Sequence, residues 1–562
     1  MMNSKNTTLI GLILITILSI INKVFFIQYG LPFSLHPDEI LIYKDPLKLL
    51  LLYKEFNFSA STNLFNWLLS VWTILVYLFG KLFGFWASFE EYKLQLVLES
   101  GTIIFSFRIL ALLLTTIGNL LLFRLITLIS KDTIVILLSA LCIVFNPIEN
   151  VSTNAIKFDP ISYLTFCVLL YCSWNYFIQK SNNKNRIILY LLSFLSITVR
   201  VEYFGWIITL IVVDFYINYN KKIVFYIKEN WKIFVGGCII YSLISLYPVV
   251  IIYKIIYPNT TSLGTATSFL EFMGKGFLDQ ILSEKFLQKT IDNFLYYLGI
   301  ILLVFPYIIF LFISSKKQNG FVLINFSFLI ALLFFLIIYI YAAPHYFLIP
   351  SLIIIITVIY KLANLSNKKI ATISLCIIFL FNFSIALQFT LFVLSEQDSR
   401  IVAGKFILNQ IPEKSVLAIE NYSMNGSYPP LIFECKETYL KKYETIKKSK
   451  KGTGETWLAK SNLNPEKCYT IIDIFNTDYF KNTELEGQYI IWKSINELNK
   501  KNPQYYICQN DIQLIQDEYY QNLNSLFSLL KSFAPTIKDI RLKKVLEREM
   551  YYSGINIYKK NN

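Results

Sequence analysis

A polytopic α-helical membrane protein of about 11 spans followed by a C-terminal extracytoplasmic α/β domain is the fold class this sequence predicts, on three observations. The first is composition. Of 562 residues, 55% are hydrophobic and 16% charged, with a mean hydropathy of +0.51. A soluble domain so composed would expose large apolar patches, so the bilayer is the main solvent. The second is periodic recurrence of apolar windows of roughly 20 residues, the length that crosses hydrocarbon, from Thr8 to Leu394. The third is a change of character at Ser395, after which the chain is ordinary mixed sequence. Residues 1–395 are therefore read as a membrane body and 396–562 as a soluble domain.

The net charge of +15 does not point to nucleic acid. The lysines sit in short loops between apolar runs rather than on one amphipathic face, the distribution of the positive-inside rule. The clusters Lys180/Lys184/Arg186, Lys221/Lys222/Lys228/Lys232, Lys316/Lys317 and Lys361/Lys368/Lys369 are placed in the cytoplasm. Each stretch between them is then a hairpin: 187–201 with 203–219, 233–256 with 291–314, and 321–341 with 347–360. The run 370–394 exits and carries the terminal domain outside. Earlier in the chain, Thr8–Ile27 exits, Thr102–Phe123 enters, Thr133–Val144 leaves and Asp159–Ile178 enters. That puts the first loop, 28–101, and the turn 146–158 on the outer side. Parity leaves Leu64–Gly80, with Trp67, Trp72 and Tyr77, as an interfacial or re-entrant segment. Thr8–Ile27 has no small-residue cleavage site after it and reads as a retained helix. The expected neighbours of the membrane body are membrane lipids.

In the terminal domain a helix is expected over Asp398–Gln410 and strands over Val416–Glu420, Tyr469–Ile474 and Tyr489–Trp492. Helical patterns are read at Tyr519–Phe533 and Pro535–Met550. Five cysteines (Cys142, Cys167, Cys172, Cys238, Cys376) lie in apolar runs and read as small hydrophobes. Cys435, Cys468 and Cys508 fall in the terminal domain, where one disulfide and one thiol is the simplest arithmetic and the pairing is open.

The sharpest chemical feature is His36-Pro37-Asp38-Glu39, just after the first apolar run. Acids at a membrane boundary are costly to hold and are functional candidates. The plainer reading is a helix start, with Ser34 as N-cap and Pro, Asp and Glu in the first turn. Both hold together, since a helix start also fixes a carboxylate in place. Adjacent side chains diverge on a helix or strand, so Asp38 and Glu39 cannot address one substrate atom. One is assigned to chemistry and the other to orientation. Arg108, Lys157, Arg200 and His345 all fall at the outer boundary in this topology, suited to meeting an anion. Singly each has a structural reading: Arg108 and Arg200 snorkel, Lys157 pairs with Asp159, His345 caps a turn. Asp159 either helps to orient a bound anionic group or caps its own helix through Pro160. The two histidines with Asp38 are weak grounds for a metal site, and none is expected.

These motifs carry a resemblance. HPDE after the first helix is followed by an apolar segment ending Leu78-Phe79-Gly80, and Phe107-Arg108-Ile109-Leu110 opens the next span. Asn154-Ala155-Ile156-Lys157-Phe158-Asp159, Val199-Arg200-Val201-Glu202-Tyr203 and Pro344-His345-Tyr346-Phe347-Leu348-Ile349-Pro350 complete the set. The pattern resembles the GT-C glycosyltransferases related to glycosyltransferase family 39, which include protein O-mannosyltransferases and lipid A aminoarabinose transferases. It covers most of the first 400 residues or so. The chain departs from it at Ser59-Ala60-Ser61-Thr62-Asn63, where a Pro-rich stretch is common, and at His345, where Arg is usual. There is no sign of the β-trefoil domain that eukaryotic protein mannosyltransferases insert, so the resemblance implies a bacterial-type enzyme of the plasma (inner) membrane. The resemblance implies inverting transfer from a polyprenyl-phosphate sugar to an extracytoplasmic acceptor that is a protein, lipid or glycan, without a cofactor. It implies Asp38 as base and Glu39 beside it, with Arg108, Lys157, Arg200 and His345 toward the donor phosphate and His36, Asp159 and Tyr346 toward substrate. A transporter or lipid-linked sugar flippase is the competing class. Transporters place polar groups at the midplane of broken helices and show repeated halves, and this sequence shows neither.

Overall fold

The structure, a computed structural model, describes residues 4–31, 63–89, 91–92, 100–155, 157–179, 182–200, 202–219, 223–245, 286–301, 303–311, 320–338, 343–396, 398–419, 435, 468–473, 504–509, 527–533 and 555–560. The motif 36–39, the run 246–285 and the expected elements at 489–492 and 535–550 lie outside the described residues. In order, the helices are α1 (Ser4–Ile27), α2 (Asn63–Leu82), α3 (Ser100–Ile129), α4 (Thr133–Val144), α5 (Pro147–Ser152), α6 (Phe158–Trp174), α7 (Asn183–Ile197) and α8 (Tyr203–Asn218). They continue with α9 (Ile223–Ile244), α10 (Phe286–Ile301), α11 (Phe305–Leu311), α12 (Gly320–Ile338), α13 (Leu348–Ala363), α14 (Lys368–Leu394) and α15 (Ser399–Gln410). Helix α6 runs on as a π-helical turn, Asn175–Gln179, and a 3-10 turn, Pro344–Phe347, leads into α13.

Among the described residues six helical stretches are long and apolar enough to cross a bilayer: Thr8–Ile27, Ile104–Ile129, Thr133–Ser152, Phe158–Gln179, Pro344–Ala363 and one within Lys368–Gln410. Trp67–Leu82, Tyr203–Asn218 and Gly320–Phe334 are apolar but shorter. The chain is thus a mostly helical integral membrane protein. Two expectations are corrected. The run 291–314 is not one helix: it breaks between α10 and α11, where Pro306 enters the first turn of α11 and cannot donate to the preceding turn. The turn after Val144, expected as a loop, is itself helical, because Asn146 accepts from the Ile148 amide and Pro147 fits the first turn of α5.

The chain divides into two contact units. The first comprises Met1–Val24, Lys48–Trp72 and Ile109–Gln388. Its helices are fastened by hydrogen bonds that cannot be given to lipid. Asn119 donates to Ser19 Oγ at 3.0 Å and accepts from the Tyr163 hydroxyl at 2.6 Å. Beside that bond a Cβ on Gly118 would meet Tyr163 at 2.7 Å, so only glycine lets α3 and α6 close to this distance. On α8, the buried Asp214 accepts from Tyr176 (2.6 Å), Tyr190 (2.8 Å) and Asn218 (2.7 Å), joining the π-helical turn to α7 and α8. Trp206 packs edge-on against Phe166 and Phe328, with centroids 5.5 and 5.2 Å away.

The second unit comprises Phe25–Leu47, Thr73–Arg108 and Phe389–Asn562. Its sheet has the order β2-β1-β3-β5-β4 over β1 (Val416–Ile419), β2 (Thr470–Asp473), β3 (Tyr505–Gln509), β4 (Phe527–Phe533) and β5 (Ile555–Lys560). β2, β1 and β3 are parallel, while β5 is antiparallel to both β3 and β4. Ala403, Ile407 and Ile411 of the α15 region share one core with Leu417, Ile419, Tyr469 and Ile557. Residues 527–533 form a strand, correcting the helix expected over Tyr519–Phe533. The 3–4 spacing of Leu523, Leu526 and Leu530 favours a helix locally, and the ladder to β5 overrides it, with a bulge between Leu529 and Lys531. Cys435 and Cys468 form a disulfide across a separation of 33 residues.

Candidate functional site

The turn after α5 ends at Lys157, which takes the N-cap position of α6 in an extended conformation with no side-chain cap bond. Asp159 therefore lies inside the first turn of α6, not at its cap, and Pro160 follows it rather than opening the helix. From there the Asp159 carboxylate reaches two cations: Lys157 Nζ at 3.1 Å and Arg200 Nη1 at 3.0 Å. Arg200 sits in the tight connection between α7 and α8, and its Nε faces Glu202 Oε1 at 3.7 Å. Its guanidinium lies over the Tyr346 ring, 5.3 Å from the centroid. Tyr346 and His345 occupy the 3-10 turn with ring centroids 4.3 Å apart, and His345 lies within electrostatic reach of both Lys157 and Arg200. Burial by itself would lower the Arg200 pKa, but Glu202 and Asp159 outweigh it and push the value above its ordinary level. Lys157 and Asp159 are each 2% exposed and Arg200 12%. Arg200 is thus the more exposed of the two cations, and Asp159 sets its orientation.

Five expected site residues, Lys157, Asp159, Arg200, His345 and Tyr346, come together here. Arg108 belongs to the other contact unit. There its Nη1 donates to the carbonyls of Phe26 (3.2 Å), Ile27 (3.2 Å) and Tyr29 (2.6 Å), where a cation complements the C-terminal end of α1. His36, Asp38 and Glu39 lie outside the described residues. Among those residues no cluster of three or more His, Cys, Asp or Glu offers a metal site.

Sequence reasoning passed over two features. Glu202 was quoted in a motif without a role, and it flanks Arg200. Lys23 and Glu149 form a buried ion pair of 2.7 Å, with side chains 3% and 0% exposed. The signal for that pair was a lone lysine in the first apolar run and a lone glutamate at Asn146–Thr153, each costly without a partner.

No family model matches the chain, and no curated protein matches it either. Among solved structures it is similar to ArnT from Cupriavidus metallidurans bound to undecaprenyl phosphate: 11% identity, 99% of this chain and 98% of that chain covered, TM-score 0.47. It is also similar to ArnT from Cupriavidus metallidurans in the apo state, with 12% identity, the same coverage of both chains (99% and 98%) and a TM-score of 0.45.

Proposed function

We propose that the chain is an inverting glycosyltransferase that moves a sugar from a polyprenyl-phosphate donor to an extracytoplasmic acceptor. One observation carries this reading: a buried cation, Lys157, and a largely buried one, Arg200, converge from different turns on one carboxylate beside His345 and Tyr346. Charges brought together inside an apolar body call for a polar task. A lipid phosphate is an anion already anchored in the bilayer, and it matches Arg200, whose planar fork suits phosphate.

The chemistry asks little more. The acceptor oxygen attacks the anomeric carbon as the bond from that carbon to the phosphate oxygen breaks, with inversion. The acceptor proton passes to a carboxylate, assigned to Asp38 on sequence grounds. The leaving phosphate carries its charge away and needs cations rather than an acid, a part for Arg200 with Lys157 behind it. The Cys435–Cys468 disulfide supports a terminal domain outside the cytoplasm, because such bonds persist in oxidising compartments.

The test uses purified protein in nanodiscs with a radiolabelled polyprenyl-phosphate sugar and mixed candidate acceptors. Release of free polyprenyl phosphate together with labelled acceptor is the expected result. Transfer from a nucleotide sugar with no lipid carrier present rejects the donor assignment. Movement of intact donor across the bilayer without cleavage favours the flippase class instead.

A further inference from the structure

The buried Lys23–Glu149 pair lies outside the cluster just described, and the proposed chemistry does not use it. Two neighbouring residues of α1 hold α5 and the end of α4 before it. Asn22 donates to Val144 O (3.0 Å), the end of α4, and to Asn150 Oδ1. Lys23 meets Glu149 Oε1 at 2.7 Å and donates to Thr153 Oγ1 at 2.6 Å. Thr153 in turn donates to the Glu149 carbonyl (2.8 Å) and to its Oε1 (3.0 Å), closing a triangle at the C-terminal end of α5. Lys157 and Asp159 follow Thr153 closely in the chain. On its flank α5 packs against the 3-10 turn that carries His345 and Tyr346, and against α13. So α5 touches both halves of the cluster, and Lys23 with Glu149 sets where α5 stands.

A buried ion pair is a poor source of stability, since an apolar pair of similar volume holds two helices as well or better. What an apolar pair cannot do is grip the Thr153 hydroxyl from both sides. We infer that Lys23 and Glu149 are positioning residues, which fix the 153–159 turn so that Lys157 and Asp159 meet Arg200 in the geometry that receives the donor phosphate. The inference rests on the transferase reading for its functional consequence, and on geometry alone for its structural one.

The experiment compares wild type with the double variant Lys23→Met/Glu149→Leu, whose fold is expected to hold because neither charge is left unpaired. Two readouts are taken in nanodiscs: donor KM and kcat, and hydrogen exchange of the peptide covering 153–159. The expected result is a donor KM raised on the order of tenfold with kcat nearly kept, together with faster exchange in that peptide and an unchanged thermal midpoint. A purely structural pair leaves KM and exchange at wild-type values, and that outcome overturns the inference. Should the double variant fail to fold, the charge-swapped Lys23→Glu/Glu149→Lys is compared with Glu149→Gln. Restoration of exchange protection by the swap alone supports positioning, and equal values for the two variants overturn it. If wild type transfers no sugar, the proposed function fails, while the exchange comparison still decides the inference.

Discussion

Arg200, in the α7–α8 connection, places Nη1 3.0 Å from Asp159 Oδ1 in the first turn of α6, 41 residues earlier in the chain. The other oxygen of the same carboxylate faces Lys157 Nζ at 3.1 Å. One acid thus bridges two cations, with Glu202 also beside Arg200, and an incoming phosphate would compete with it for both.

Asp159→Asn removes that charge and leaves Lys157 and Arg200 facing each other without it. Breaking a buried pair by taking away one partner costs about 3–5 kcal/mol. The variant is therefore expected to show a clearly lower thermal midpoint in detergent, read with a thiol-independent melting assay. Added polyprenyl phosphate should recover part of the loss, since an anion then fills the place of the carboxylate. A melt indistinguishable from wild type would mean that the cluster is not held as described.

Arg200→Lys keeps the charge and discards the fork and the stacking on Tyr346. Donor KM is expected to rise roughly tenfold, the equivalent of about 1.4 kcal/mol, with a smaller change in kcat. Steady-state kinetics over a donor series separates the two. Equal loss in kcat alone would move Arg200 from donor binding to transition-state contact.

Asp38→Asn preserves size and hydrogen bonding but cannot take a proton, so turnover should fall by about 10²- to 10⁴-fold. As a helix-start residue alone, Asp38 would tolerate the change at a cost of at most about 1 kcal/mol in stability. Glu39→Gln should hurt less. Single-turnover assays on protein produced at normal levels decide it: an active Asp38→Asn with a dead Glu39→Gln reverses the roles, and two active variants dismiss the site.

Cys435 and Cys468 are bridged, so a membrane-impermeant maleimide applied to intact cells should label them only after an impermeant reductant. A Cys435→Ser/Cys468→Ser protein supplies the background from other cysteines. Closing a 33-residue separation is worth about 3–4 kcal/mol in the chain-entropy account, so that double variant should also be cleaved faster by protease in the terminal domain. Labelling that requires permeabilisation of the cell would put the domain in the cytoplasm and undo the proposed topology.

Much of this molecule follows from local sequence. The apolar runs determined α1, α3, α4, α6, α13 and α14, because a long, mostly apolar run has one economical state in a bilayer. Val416–Ile419 and Thr470–Asp473 were legible as strands from their β-branched content and flanking turns. Lys157, Asp159 and Arg200 were picked out as charged residues at the edges of apolar segments. Their meeting was not legible, since the order of helices in a bundle leaves no mark at a fixed spacing. The same holds for Lys23 and Glu149, in contact across more than a hundred positions. Cys435 pairing with Cys468 was one of three arithmetic possibilities, and spacing alone could not choose among them. Residues 527–533 show the limit most plainly: the leucine spacing that runs into them from Leu523 suits a helix, and they are a strand because β5 offers a ladder. Local preference is worth tenths of a kcal/mol per residue, whereas an unpaired backbone group or buried charge costs several times that. The sequence therefore determined which segments sit in the membrane, and only the tertiary structure, by satisfying those costlier groups, decided which residues meet.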